Sequence, residues 1–113
     1  MRVAIPTRDG KIETVFSRAE KFTIYDVEIE LVKSKITVEI DKKDLSDFLV
    51  DEEINIMVCG RISSASRNVL RLKRVELIYG VSGVADEIMV RYLSGERLGD
   101  IDENAFWSNG IEG

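Results

Sequence analysis

Cys59 is the single cysteine of this 113-residue chain, and the chain contains no histidine. A lone thiol without an imidazole excludes Ser-His and Cys-His catalysis, because neither nucleophile has its base. Ligation is what remains. As a thiolate, Cys59 could bind a metal, helped by Arg18 or Arg61 and by a helix N-terminus, each of which lowers a thiol's pKa. The competing reading is a small buried core residue beside the tight turn at Gly60. A common iron–sulfur cluster takes four protein ligands, so one cysteine per chain leaves the others to come from other chains or from exogenous groups. Ser63-Ser64 could bind an anion through hydroxyls and free backbone N–H groups, or could simply cap a helix. Arg18 and Arg61 could receive an anionic ligand or form surface ion pairs. Arg67, Arg71 and Arg74 read as a solvated helix face. A two-metal nuclease needs carboxylates converging on the central strands, and Val3-Ala4-Ile5 supplies none, so that chemistry is set aside.

The elements that must position these residues are legible in the apolar pattern. Val3–Ile5, stopped by Pro6, reads as a buried strand, followed by a loop from Thr7 to Ala19 with an Asp9-Gly10 turn. Phe22–Glu28 and Leu31–Ile40 read as a hairpin through Glu28-Ile29-Glu30, the second strand carrying Ile36, Val38 and Ile40 on one face. Asp41 is placed to cap a helix whose stripe is Leu45, Phe48 and Leu49. Ile54–Cys59 is a second buried strand, and Ser63–Lys73 a helix with Ala65, Val69 and Leu72 as its core face. Val75–Tyr79 is a third buried strand. A turn at Gly80–Gly83 leads to a helix from Ala85 to Leu93, with Asp86 and Glu87 in its first turn and Gly95 as its stop. The order β-β-β-α-β-α-β-α calls for a three-layer α/β/α domain with a mixed sheet over residues 1–98. An acidic tail, 99–113, carries Phe106-Trp107, read as an anchor onto the domain or as a partner-binding patch.

Four blocks, in order, resemble the dinitrogenase iron–molybdenum cofactor biosynthesis family, the NifX-like and NifB C-terminal-type domains. They are Met1-Arg2-Val3-Ala4-Ile5-Pro6; Phe16-Ser17-Arg18-Ala19 with Phe22-Thr23-Ile24-Tyr25-Asp26; Cys59-Gly60-Arg61-Ile62-Ser63; and Gly80-Val81-Ser82-Gly83-Val84 with Tyr92-Leu93-Ser94-Gly95-Glu96. The resemblance implies a ribonuclease-H-like motif with a five-stranded sheet, order 3-2-1-4-5, strand 2 antiparallel. It also implies a cofactor role: an iron–molybdenum cofactor or iron–sulfur precursor as ligand. The family's loop histidine is Val15 here, its loop glycine is Ser17, and two glycines of its later motif are Arg61 and Ser63. The histidine that would be a second iron ligand is therefore missing.

In an open α/β sheet, ligands settle beyond the strand carboxyl ends where the strand order reverses. For this order the reversal lies between the first and fourth strands, so Thr7, the Phe16-Ser17-Arg18 loop, and Cys59, Gly60, Arg61 and Ser63 should converge on one cofactor-binding mouth, with Cys59 the metal ligand. The function expected is a non-catalytic carrier or accessory domain for a metal–sulfur cofactor. The alternatives are a small-anion binding module or an interaction domain that has lost the cofactor.

Composition bounds the setting. Charged residues make up 33% of the chain, an abundance of the kind enriched in thermophile proteins. A net charge of −5 disfavours nucleic acid or an anionic membrane as partner. No stretch approaches the roughly 18 apolar residues of a membrane span. One cysteine makes no intrachain disulfide, and the N-terminus shows no signal pattern, so a cytoplasmic protein is expected.

Overall fold

The computed structural model describes residues 1–101. Its strands are β1 (Arg2–Arg8), β2 (Lys11–Ile12), β3 (Lys21–Glu28), β4 (Leu31–Glu39), β5 (Ile56–Val58), β6 (Glu76–Tyr79) and β7 (Asp100–Ile101); its helices are α1 (Leu45–Asp51), α2 (Ser64–Leu72) and α3 (Ala85–Leu93). Short 3-10 turns occupy Phe16–Arg18 and Lys42–Asp44. All seven strands join one mixed sheet in the order β4-β3-β1-β5-β6-β7, with β2 paired to β1. β3 runs antiparallel to β1 and β4, whereas β1, β5 and β6 are mutually parallel along the sheet.

Alternation along the strands builds two cores, one on each face of the sheet. Ala4, Phe22, Ile24, Met57 and Leu77 point to the side covered by α1 and α2, where Leu45, Phe48, Leu49 and Leu70 meet them. Val3, Ile5, Tyr25, Val27, Ile56 and Val58 point to the other side, under Ala85, Ile88 and Met89 of α3. The layers are thus helix, sheet, helix. No described helix is long and apolar enough to cross a membrane.

The structure departs from the expected elements where local chemistry was misread. The sheet has seven strands rather than five, because two short segments add to it. Thr7–Ala19 is not plain loop: it holds the β1–β2 hairpin about Asp9-Gly10 and the 3-10 turn at Phe16–Arg18. Pro6 does not stop β1. The pairing of β1 with β5 covers only Val3 and Ala4, so at Pro6 the strand has passed that ladder, and its missing N–H breaks no bond there. The sheet also extends past Leu98, as Asp100–Ile101 pairs antiparallel with β6. Phe106-Trp107 lies outside the described residues.

Asp41 makes no side-chain cap bond; a 3-10 turn at Lys42–Asp44 comes between it and α1. On α2 the core residue is Leu70, with Ile62 and Val69 packed beside it, while Leu72 is 81% exposed and Ala65 is exposed. The sequence offers two stripes one position apart, and the sheet selects the one continuous with Ile62. Arg67 is not simply solvated: its guanidinium lies 4.2 Å from the Tyr79 ring centroid, a cation–π contact.

Candidate functional site

The turns leaving β1 and β5 do meet. The segment after β2 crosses the start of the β5–α2 connection and bonds to it in register. Arg61 N–H donates to the Thr14 carbonyl at 2.9 Å, and Phe16 N–H donates to the Arg61 carbonyl at 2.7 Å. From the other side, Gly80 N–H donates to the Gly60 carbonyl at 3.0 Å, and Val81 N–H to that of Cys59 at 3.0 Å. Gly60 is required here by close approach, since an added Cβ would lie 2.4 Å from the Thr14 carbonyl oxygen.

This strap fills the switch point instead of framing it. Cys59 is fully buried within the α1/α2-side core. Burial pushes its thiol from 9.0 up to about 12, against a smaller opposing pull from the Arg67 charge. The thiol is neutral at ordinary pH, so in this arrangement it is a packing group. Phe16 is also committed to the core. Its ring meets Phe22 edge-on at 5.8 Å, and Phe22 meets Phe48 at 5.2 Å, which anchors the 3-10 turn. Ser63 caps α2, accepting from Ser66 N–H at 3.2 Å. Phe16, Cys59, Gly60, Arg61 and Ser63 line none of the hollows described below.

The open crevice lies one step across the sheet, at the same strand ends but over β1, β3 and β4. A hollow of about 490 Å³ is lined by Arg8, Ser17, Arg18, Ala19, Glu20, Ile40, Asp41 and Lys42. It is walled by the 3-10 turn on one side and by the β4–α1 link on the other. A second hollow of about 270 Å³ shares Arg8 and Glu20 with it and reaches Thr7, Asp9, Glu13 and Lys21. At its base Arg8 Nε donates to Glu13 at 2.8 Å, and Glu13 is itself buried. Of the expected site residues, the crevice thus brings together Thr7, Ser17 and Arg18.

Arg8, Glu20, Asp41 and Lys42 were not read as site residues. Their signal was faint: Arg8 directly follows the first buried run, and Lys42 follows the expected helix cap. Their convergence depends on β4 returning beside β3 to bring residues 40–42 opposite residues 17–20.

Three cations, Arg8, Arg18 and Lys42, and two carboxylates line the larger hollow, and Arg8 is the one of the three already paired among the described residues, with Glu13. A thiolate-ligated cluster does not fit the described residues: the one thiol is enclosed, and they contain no group of three or more His, Cys, Asp or Glu that could hold a metal ion. What the crevice offers is guanidinium, ammonium and hydroxyl donors, which recognise anions by charge and hydrogen bonding.

Fold and crevice together define an α/β/α domain with a polar crevice at the strand carboxyl ends. More particularly, the chain belongs to the dinitrogenase iron-molybdenum cofactor family, whose model matches residues 1–95. Among solved structures it is similar to the protein PH0822, at 27% identity and a TM-score of 0.80, covering 92% of this chain and 96% of that one. It is likewise similar to a candidate dinitrogenase from Methanocaldococcus jannaschii, at 25% identity and a TM-score of 0.77 over the same shares of the two chains, 92% and 96%. The orange protein of Desulfovibrio gigas shares the fold, with a TM-score of 0.70 at 15% identity over 89% of this chain and 95% of that one. No curated protein sequence matches the chain.

Proposed function

We propose that this protein is a non-catalytic carrier, on a ribonuclease-H-like scaffold, that holds an anionic metal–sulfur cofactor precursor without a protein thiolate bond. The carrying observation is the meeting of Arg8, Arg18 and Lys42 on one crevice at the strand carboxyl ends, in a chain of this family. Metal–sulfur precursors are anions, and guanidinium and ammonium donors bind anions without covalent chemistry. Ser17 adds a hydroxyl to the same wall, and Thr7 lies in the adjoining hollow. Gly60 and Arg61 act one layer back by tying down the strap that carries Ser17 and Arg18. The buried Cys59 supports the shape of the site rather than bonding to the cargo.

The test is anaerobic binding of tetrathiomolybdate, a small molybdenum–sulfur anion. Wild type and Cys59→Ala should bind alike. Arg18→Ala and Lys42→Ala should each weaken binding by about 10-fold or more, the scale of one lost charge-assisted hydrogen bond. Affinity should also fall with salt. Loss of binding in Cys59→Ala, or equal binding in all four proteins, would overturn the reading.

A further inference from the structure

A further hollow of about 300 Å³ opens over the α3 side of the sheet, against the start of that helix; it shares Thr7, Asp9 and Lys21 with the smaller hollow beside the crevice, while its threonine floor and its α3 wall are its own. That face is apolar along most of its length, through Val3, Ile5, Val27, Ile56 and Val58. Toward the carboxyl end of β1 it turns polar. Thr7, Thr23 and Thr37 form a hydroxyl ladder across three strands, with Thr7 to Thr23 at 2.8 Å and Thr23 to Thr37 at 3.0 Å. Three hydroxyls carry three protons, and the two bonds between them use two. One proton is left over, and the ladder can run in either direction, so it presents a donor at one end and an acceptor at the other. Thr7 and Thr23 are buried, where polar atoms need partners.

The charges lining the hollow fall into two sets. Asp86 is already satisfied: it accepts from the Tyr25 hydroxyl at 2.7 Å and from Lys35 Nζ at 3.0 and 3.1 Å. Asp9 and Lys21 also line the hollow, and neither has an ion-pair partner among the described residues. Lys21 stands directly opposite Thr7 in the β1–β3 register, so the two side chains leave the sheet on the same face. One unpaired cation and one unpaired anion therefore flank a floor of hydroxyls. A simple phosphate or carboxylate would meet the repulsion of Asp9. A simple amine would meet that of Lys21. A molecule carrying both charges satisfies both.

We infer that this hollow binds a small zwitterion of the amino-acid class, its carboxylate on Lys21 and the threonine ladder and its ammonium on Asp9. The volume lies at the lower end of the range for small-molecule pockets and suits a ligand of that size. The buried hydroxyls fix orientation, and the two charges reject ligands with only one of them.

The experiment is a titration of the full chain, followed by backbone amide shifts, with glycine, serine, glutamine and aspartate in turn. Acetate, ethanolamine and inorganic phosphate serve as single-charge comparisons. At least one amino acid should bind saturably, with shifts centred on Thr7, Lys21, Thr23 and Thr37, and about tenfold more tightly than any comparison compound. Lys21→Met should weaken binding about tenfold and Thr23→Val about fivefold, while Thr23→Ser, which keeps the hydroxyl, should stay within about twofold. Absence of saturable binding by every amino acid, a comparison compound binding equally well, or an unchanged affinity in a folded Thr23→Val would overturn the assignment. No metal–sulfur compound is involved, and Thr23 and Thr37 line only this hollow, so a failure here is distinguishable from a failure of the tetrathiomolybdate test.

Discussion

Gly60 lies directly beneath Thr14, so close that a Cβ on Gly60 would sit 2.4 Å from the Thr14 carbonyl oxygen and 3.0 Å from its carbonyl carbon. Both obstructing atoms are backbone, so neither can move aside cheaply. Gly60→Ala should therefore push the strap off the β5–α2 connection. The expected cost is about 1–3 kcal/mol, the range for inserting a methyl into a packed site. Calorimetry measures the loss as a lowered Tm. Hydrogen exchange locates it: the Arg61 and Phe16 amides, bonded across the strap, should lose protection first. A Gly60→Ala protein with wild-type Tm and protected amides would show that the contact is not tight.

The buried thiol predicts an alkaline limb. Cys59 rises from 9.0 to about 12 because the core penalises the thiolate. Above about pH 9 the unfolded chain gives up this proton while the folded chain keeps it, so this group's contribution is constant below that pH and is lost as pH rises toward 12. Tyr25 adds to the same limb, its phenol raised by burial first and then by the hydrogen bond to Asp86. Denaturant unfolding followed from neutral to alkaline pH should show this decline, and Cys59→Ala should make it shallower even if its baseline is lower. An equal slope in both proteins would contradict the burial of the thiol.

Much of this fold was legible because its strongest signals are periodic. The Leu45, Phe48 and Leu49 stripe, and α3 from Ala85 to Leu93 with Gly95 at positive φ beyond it, follow directly from spacing and turn chemistry. The site was only partly legible. The strand order that the family resemblance implies brings the Phe16-Ser17-Arg18 loop and Arg61 to one spot, but nothing in the residue types says whether the spot is hollow or filled. That depends on the length of the β1–β2 hairpin, which sends residues 13–16 across Gly60 and closes the space. The open crevice formed instead at Arg18 and Lys42, residues joined only by the long return of β4. The α2 core face was misread for a similar reason, since Val69 belongs to both stripes and only the sheet distinguishes them.

Asp86 predicts the acid limb. Its carboxyl is held below the ordinary 3.8 by the Tyr25 hydroxyl first and by Lys35 second. A carboxylate lowered in the folded state stabilises the protein above its unfolded pKa, and that contribution is lost as pH falls through the folded value. Tyr25→Phe removes the largest single cause, and Lys35→Met removes both a hydrogen bond and a charge, so each should reduce the acid dependence. Asp86→Asn should remove this group's share of the acid dependence altogether. The group is largely exposed, so the effect is best read as a change in slope of stability against pH. An unchanged acid limb in all three variants would show that the triad has no coupling in solution.

The hairpin between β3 and β4 carries a correctable strain. Its two loop residues, Ile29 and Glu30, both have positive φ, at 51° and 61°. A two-residue hairpin loop of this hand favours Asn-Gly, because glycine bears no Cβ and asparagine tolerates the left-handed region. A β-branched residue such as Ile29 is strained there, and at 88% exposure it gains little packing in return. Replacing the pair by Ile29→Asn and Glu30→Gly should stabilise the protein by about 1 kcal/mol, relief of strain outweighing the extra flexibility glycine gives the unfolded chain. That corresponds to a Tm about 4–8 °C higher for a domain near this size. The turn sits at the end of β3 away from Lys21, so ligand affinities at the crevice and at the threonine ladder should not move. A higher Tm with unchanged affinities is the expected pattern. An unchanged or lower Tm would mean that the chain relaxes this turn in solution, and that the Glu28–Leu31 register closing the hairpin is held by the strands alone.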